Sequence, residues 1–167
     1  GIEGRHADPD VFVQMDTYAV KGLQPGQIQF LYAPTHLNPT YEYGVTFERG
    51  TAVTYGDRKQ IFISGTASID NKGEIVYPGD ILKQTERMLE NIDTLLQEAD
   101  AGLEDIMQAI VYLRDPADYV VVKQYIESRY PSFPHLIVHA PVCRPGWLIE
   151  TECIAVVPAD APQYACL

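Results

Sequence analysis

An amphipathic stretch in the middle of the chain constrains the fold more than any other feature, because its apolar side chains recur with helical spacing. Asp80 follows a glycine and provides an N-cap, and Gly102 is a stop signal near the end of the predicted helix. The apolar face must be buried against another layer of structure. Its members are Ile81, Leu82, Thr85, Met88, Leu89, Ile92, Leu95 and Leu96.

Segments rich in β-forming residues surround this helix and supply the other layer. A second helix is predicted to begin at Asp115, with Pro116 in a tolerated first-turn position, and to end at Pro131 and Pro134. The order of elements predicts an α+β fold in which two helices cover one face of a mixed sheet. The predicted strands before the last hairpin lie within residues 27–33, 45–56, 59–69 and 106–113.

The stretch "HLIVHAPVCRPGWLIETECIAVV" (residues 135–157) is predicted to close the domain as a hairpin around Pro145-Gly146. Side chains alternate along a strand, so one face of this hairpin is almost entirely apolar and is expected to lie beneath the helices. The other face mixes acidic, imidazole and apolar side chains, and we expect it to be half-buried. Its predicted members are His135, Ile137, His139, Pro141 and Cys143, opposite Leu148, Glu150, Glu152, Ile154 and Val156.

Three interpretations of this second face stay open. Its acids can form solvated or inter-subunit ion pairs, they can bind a metal ion with the histidines, or Glu150 can act as a general acid and base beside Cys143. The metal interpretation is disfavoured because His135 and His139 stand roughly 13 Å apart along a strand. His139 is also too far from Cys143 to activate it, so we expect Cys143 to form a pocket wall.

Composition limits the range of partners. The net charge is −11 and no Lys/Arg-rich run occurs, which disfavours nucleic acid as the main ligand. No run approaches the roughly 18 apolar residues of a membrane span, and no signal peptide is recognisable, so the cytoplasm is the expected compartment. The cysteines form no CxxC pair, in agreement with a reducing compartment. We expect no cofactor and no metal.

The predicted domain organisation is simple. Residues 1–26 are expected to be an N-terminal extension or linker, of which residues 1–6 include "IEGR", a protease site used in recombinant fusions, and can be a tag remnant. Residues 27–158 form the predicted domain. Residues 159–167 form a C-terminal tail.

The motifs "KQIFISGTASIDNKGEI", "YLRDPADY" and "LIETECIAVV" together resemble the YjgF/Rid family, also named after L-PSP endoribonuclease, over about residues 45–157. The resemblance implies a chorismate-mutase-like, YjgF-type α+β fold. It also implies a homotrimer whose sheets face the interior, with a ligand pocket at each subunit interface.

The same resemblance implies site residues. Glu150 matches the acidic residue that orients the attacking water in enamine and imine deaminases of the family. His135 stands where those deaminases place the Arg that holds the substrate carboxylate. We expect Glu150 to be catalytic, and the predicted substrate-binding residues are Arg49, Ser64, Gly65, Thr66, His135, Ile137, Cys143 and Arg144.

The stretches "FERG", "ISGTASI" and "CRPGWLIE" further resemble the C-terminal catalytic half of chorismatases. That resemblance implies Glu150 as the acid/base, Arg49 as a carboxylate binder and Cys143 as a residue that helps set the reaction outcome; Arg144 is an alternative cation. Chorismatases carry an additional N-terminal domain of similar fold, and only about 40 residues precede the matched region here. The chain is therefore expected to be either a fragment or a stand-alone relative.

The predicted function is an enzyme of hydrolase or lyase type that acts on a small carboxylate-bearing metabolite at trimer interfaces. Two alternatives are a non-catalytic metabolite-binding or regulatory trimer and a divergent enamine or imine deaminase. Ribonuclease activity is disfavoured by the charge of −11.

Overall fold

The structure, a computed structural model of the chain, describes residues 2, 4 and 6–166. In this part of the chain six strands form a single sheet in the order β1-β2-β3-β6-β4-β5. Neighbouring strands are antiparallel except for β4 and β5, which run parallel, so the sheet is mixed. The strands are β1 (Ile28–Leu31), β2 (Gly50–Thr54), β3 (Arg58–Ala67), β4 (Ile106–Leu113), β5 (His135–His139) and β6 (Ile149–Pro158).

The first helix, α1 (Ile81–Gln97), begins where its N-cap predicts, because the Asp80 carboxylate accepts a hydrogen bond from the backbone N–H of Lys83 at 3.1 Å. The helix ends close to the predicted position, but Gly102 is not its C-cap. The chain leaves the helix through Asp100, which adopts a left-handed φ of 58°, a conformation that Asp tolerates better than most residues. The helix buries most of its apolar face, through Met88, Leu89, Ile92, Leu95 and Leu96, whereas Leu82 in its first turn is 36% exposed.

The second helix, α2 (Tyr119–Arg129), follows a 3₁₀ turn over Pro116–Asp118. The Asp115 carboxylate accepts a hydrogen bond from the backbone N–H of Ala117 at 2.8 Å and so starts this turn. Both helices pack on the same face of the sheet, and the hydrophobic core lies between them and that face. The predicted α+β architecture, a mixed sheet with two helices on one face, is therefore confirmed. No helix in the described residues is long and apolar enough to cross a membrane.

The predicted closing hairpin is wrong, because β4 lies between β5 and β6. The physical reason lies in the connection between β5 and β6. It is not a tight turn but a longer loop that is held across the end of β4. Arg114, just after β4, donates from Nη2 to the carbonyl oxygens of Val142 and Arg144 (both 2.6 Å) and from Nε to that of Trp147 (2.8 Å).

The actual pairing exchanges the two faces of β5, because a strand's neighbours decide which of its side chains point to the core. His135 pairs with Ala109 and Ile137 with Val111, and both partners are buried beneath the helices. His135, Ile137 and His139 therefore lie on the helix-covered face, here called the helix face, and not beside Glu150 as predicted. Leu136, 61% exposed, lies on the opposite side, here called the open face.

The faces of β6 agree with the alternation pattern. Ile149, Thr151, Cys153 and Ala155 are buried on the helix face, whereas Glu150 and Glu152 lie on the open face. Alternation along one strand depends only on local geometry, so it survives an error in the predicted partner.

The segment before β1 crosses the open face. The Tyr18 ring lies 5.7 Å from that of Phe62. Residues 11–15 of this segment form no strand. At the other end of the chain, the backbone N–H of Gly56 donates to the carbonyl of Ala165, and that of Ala161 donates to the carbonyl of Gly56, so the tail packs against the β2–β3 turn.

Candidate functional site

A β-bulge near the end of β3 forms the floor of the site. Ile63 pairs with Cys153 and Thr66 with Thr151, so Ser64 and Gly65 together face the single residue between those partners on β6. The hydroxyls of Ser64 and Thr66 stabilise the bulge. Ser64 Oγ donates to the Glu48 carbonyl at 2.7 Å, and Thr66 Oγ1 donates to the Ser64 carbonyl at 2.9 Å.

Two of the predicted substrate-binding residues of the bulge, Ser64 and Thr66, lie on different sides of the sheet. The backbone N–H of Ser64 is bonded to the Arg49 carbonyl at 3.1 Å, and Ser64 lies next to the open face. Thr66 is buried and pairs with Thr151, which places its side chain on the helix face. The Thr66 hydroxyl stabilises the bulge from the other side of the sheet, and its predicted role in substrate binding stays a prediction.

Gly65 leaves room for the carboxylate of Glu150, which a larger residue at this position would displace. A Cβ atom at position 65 would lie 3.1 Å from Cδ of Glu150 and would collide with its Oε1. The backbone of Gly65 has no left-handed φ, so the need for glycine here is steric. The structure thus brings the predicted acid and the predicted "SG" glycine into direct contact.

The environment of Glu150 favours its neutral form. It is 7% exposed, and burial raises the pKa of its carboxyl. The positive charge of the chain's amino terminus lowers that pKa and the charge of Glu152 raises it, each by less than burial does. No hydrogen bond from a described residue opposes this shift. A raised pKa brings a carboxyl closer to the range in which it can both donate and accept a proton, which general acid–base chemistry requires.

Tyr112 belongs to the site, although the sequence analysis did not identify it. It pairs with Glu150 across β4 and β6, and its hydroxyl donates to Oε1 of Glu152 at 2.8 Å. Burial, and after it the hydrogen bond to Glu152, raise the pKa of Tyr112, so its phenol stays protonated. Alternation along β4 could have placed Tyr112 on the face opposite Val111, but only the pairing with β6 shows what it contacts.

Arg49 lies close to the bulge, but its side chain already binds the protein. It is 5% exposed, and its Nη2 donates to the carbonyl and to Oδ1 of Asn38, both at 3.0 Å. Its guanidinium also lies over the Phe47 ring, 5.4 Å from the centroid. Arg49 lines a cavity of about 420 Å³ with Asn38 and Phe47. A ligand carboxylate in that cavity would compete with Asn38 for the same donors.

Arg144 and Cys143 lie in the loop before β6. The guanidinium of Arg144 stacks over the Trp147 ring at 5.1 Å, and both residues line a second cavity of about 260 Å³ that also contacts Asn38. Asn38 therefore lies between the two predicted cations. Cys143 is exposed and its thiol is free.

Gln84 positions this loop from inside the core, and the sequence analysis did not single it out as a site-supporting residue. It is fully buried on α1, donates to the Gly146 carbonyl at 3.1 Å and accepts from the backbone N–H of Leu148 at 3.0 Å. Together with Arg114 it fixes the start of β6 and hence the location of Glu150. The presence of a Gln among the apolar residues of the helix was the only sequence signal that could have indicated this role.

The structure separates His135 and Ile137 from Glu150. They lie on the helix face, on a strand that β4 separates from β6. The Nδ1 atom of His135 is 2.8 Å from the Phe133 carbonyl, and the two rings are 5.8 Å apart. Within one chain His135 and Ile137 therefore do not line the Glu150 site. Among the residues that the structure describes, no group of three His, Cys, Asp or Glu side chains could hold a metal ion.

Comparison with known sequences gives a consistent result. The family model described as Endoribonuclease L-PSP matches residues 50–157. A RutC family protein of Pyrococcus abyssi is 39% identical over 97 residues, which are 57% of this chain and 76% of that protein. The 3-aminoacrylate deaminase RutC of Acinetobacter baylyi is 30% identical over 99 residues, which are 58% of this chain and 79% of that protein.

Solved structures share the fold at lower identity. The YjgF gene product of E. coli matches with a TM-score of 0.62 and 21% identity over 77% of this chain and 98% of that one. A putative endoribonuclease L-PSP from Entamoeba histolytica matches with a TM-score of 0.65 and 20% identity over 78% of this chain and 99% of that one. The predicted YjgF-type fold is confirmed, and the resemblance to chorismatases stays a prediction.

Proposed function

The chain belongs to the endoribonuclease L-PSP family, and we propose that it is an acid–base enzyme for a small carboxylate-bearing metabolite, with Glu150 as the proton donor and acceptor. One observation carries the proposal. The Glu150 carboxyl is packed against Gly65, is 7% exposed and has a raised pKa. Buried carboxyls with a perturbed pKa are typical of sites that transfer protons.

The proposed substrate class is an acrylate that carries nitrogen or oxygen on its double bond. The relative named 3-aminoacrylate deaminase acts on such an enamine, and the chorismatase resemblance suggests an enol ether. In both cases Glu150 donates its proton to a carbon of the double bond, which leaves a cationic carbon next to nitrogen or oxygen. Water adds to that carbon and returns a proton to Glu150, and the adduct releases ammonia or an alcohol to give a carbonyl.

We propose that Arg49 binds the substrate carboxylate, with Arg144 as the alternative. Arg49 is adjacent to the bulge through the hydrogen bond from Ser64 to its carbonyl, and a guanidinium makes strong charge-assisted hydrogen bonds to carboxylates. Its donors contact Asn38 in this structure. Binding would therefore require a carboxylate oxygen to replace one of the Asn38 acceptors.

We also propose that the chain forms a homotrimer through its open face, where Ile28, Phe30 and Leu136 are 40%, 48% and 61% exposed. Exposed apolar side chains concentrated on one face indicate an interface. Light scattering should give a mass about three times 18.7 kDa, and a monomer mass would contradict this part of the proposal. The thiols of Cys143, Cys153 and Cys166 are free, which fits the cytoplasm as the proposed compartment.

The central test is Glu150→Gln, assayed against chorismate and 3-aminoacrylate. Loss of a general acid–base residue costs about 10²–10⁴-fold in turnover, so we expect at least a hundredfold loss without a change of fold by circular dichroism. The control is Glu127→Gln, on α2 on the helix face, which removes the same charge far from the site. Unchanged turnover in Glu150→Gln would rule out the role of Glu150.

A metabolite-binding trimer without turnover is the second candidate. It is favoured by the contacts that Arg49 and Arg144 already make with Asn38 and Trp147. Binding of either compound to the wild-type chain, detected by calorimetry without any product over long incubation, would support this candidate.

A further inference from the structure

The Tyr112–Glu152 pair lies beside Glu150 but takes no part in the proposed acid–base step. We propose that Glu152, held in place by Tyr112, is a positioning residue that keeps Glu150 in its neutral, proton-donating form. This inference rests on the proposed function, because it concerns the same carboxyl group.

The geometry follows from the pairing of β4 with β6. Glu150 and Glu152 stand two residues apart on β6, so their side chains share the open face with about 6.6 Å between backbone positions. Tyr112 pairs directly with Glu150, yet its hydroxyl donates to Glu152 Oε1 at 2.8 Å. The phenol therefore reaches the diagonal neighbour of its own strand partner and fixes the Glu152 carboxylate on the open face.

The residues that face Glu150 from the neighbouring strands and from the segment before β1 carry no positive charge. On β3, residues 64–67 ("SGTA") carry no ionisable side chain. On β4 the facing residue is Tyr112, whose phenol is neutral. The segment before β1 brings Asp16 into a cavity shared with Glu152, which adds a further acidic group on this side. Glu150 therefore faces acids or neutral groups on each of these elements.

Exposure divides the roles of the two acids. Glu152 is exposed and accepts the hydrogen bond of the Tyr112 phenol. Glu150 is 7% exposed, and burial raises its pKa, with the charge of Glu152 adding to the effect. Where two carboxyls lie close together, the one with less solvent keeps the proton. A purely structural Tyr112–Glu152 pair would leave the titration of Glu150 unchanged.

The test is a pH titration by NMR of the full-length chain with ¹³C-labelled glutamate carboxyls, in which Glu150→Gln identifies the Glu150 signal. Glu152→Gln should lower the midpoint of Glu150 by about half to one pH unit, as expected for a charge at this separation. Tyr112→Phe should lower it by less, because the freed Glu152 carboxylate can turn toward solvent. Glu127→Gln, on the helix face, should leave it in place.

An unchanged or raised midpoint in Glu152→Gln would overturn the inference. If that variant does not fold, Tyr112→Phe decides by the same criterion, because it removes only a hydroxyl. The outcome is independent of the proposed function: retained turnover in Glu150→Gln would remove the function, whereas an unchanged titration in Glu152→Gln would remove only the role of Glu152.

Discussion

The buried polar side chains on the two faces of the sheet differ in their hydrogen bonding. On the helix face, Gln84 and Asn91 are fully buried and each hydrogen-bonds backbone groups of the sheet end or the loop before β6. On the open face, Glu150 is almost as buried but receives no hydrogen bond from a described residue. Buried polar atoms without a partner occur on the helix face as well, at Asn91 Oδ1 and at the Thr151 hydroxyl. What distinguishes the open face is that its group without a described partner, Glu150, is an acid and can transfer a proton to a ligand.

Substitution of one glycine on each face gives the largest expected difference in turnover. Gly65→Ala would force the Glu150 carboxylate out of its place, and we expect at least about a hundredfold loss of turnover, similar to removal of the acid. Gly50→Ala is the matched variant, because its Cβ would meet Ile63 and Leu31 on the helix face at 3.0–3.3 Å. It should cost about 1–3 kcal/mol of unfolding free energy by overpacking, with turnover of the folded protein retained. Similar turnover in the two variants would contradict the division between the faces.

Gln84 provides the test of the helix face. Gln84→Ala leaves the Gly146 carbonyl and the Leu148 N–H without their partner, and we expect a loss of about 2–3 kcal/mol in unfolding free energy, measured by urea denaturation. Gln97→Ala, at the exposed end of the same helix, removes only a contact with Asp93 and should change stability by less than about 0.5 kcal/mol. Equal losses would show that Gln84 does not support the loop.

The pH dependence of stability should reveal the state of Glu150. Its pKa is raised in the folded protein, so the folded state holds this proton more tightly than the unfolded state. The stabilisation is fully present below the unfolded pKa of about 4.3 and is lost as pH rises through the folded pKa. Glu150→Gln should remove this loss and be more stable than wild type at neutral pH. A wild-type stability that rises over this window relative to the variant would contradict a raised pKa.

Thr151 gives the smallest expected effect. Its hydroxyl is buried on the helix face without a hydrogen-bond partner in the described structure. Thr151→Val replaces that hydroxyl by a methyl group of similar size, and we expect a gain of up to about 1 kcal/mol in unfolding free energy. Turnover should not change, although Glu150 is the adjacent residue, because the two side chains lie on opposite faces. A loss of turnover would show that the faces are not independent.

Several features could be predicted from the sequence because they depend on local geometry. The period of apolar residues located α1, and Asp80 located its start. The alternation along β6 separated Glu150 and Glu152 from the residues beneath the helices. Motif resemblance, rather than periodicity, identified the family, which the comparisons confirm.

The prediction for β5 was wrong because strand pairing is not local. Two consecutive strands usually form a hairpin, but here β5 pairs in parallel with β4, while Arg114 holds the connecting loop. When a strand pairs with its neighbour in a register shifted by an odd number of residues, all its side chains change faces. His135, which the resemblance placed at the carboxylate clamp, consequently lies on the helix face.

The sequence by itself determined the two helices, the faces of β6 and the family, because spacing along a single element decides which side chains share a face. Only the tertiary structure decided that Gly65 lies against Glu150, that Tyr112 reaches Glu152 and that Arg49 binds Asn38. Each of these contacts joins residues distant in the chain or depends on the pairing of neighbouring strands. Their geometry follows from the packing of the whole sheet, which no local pattern specifies.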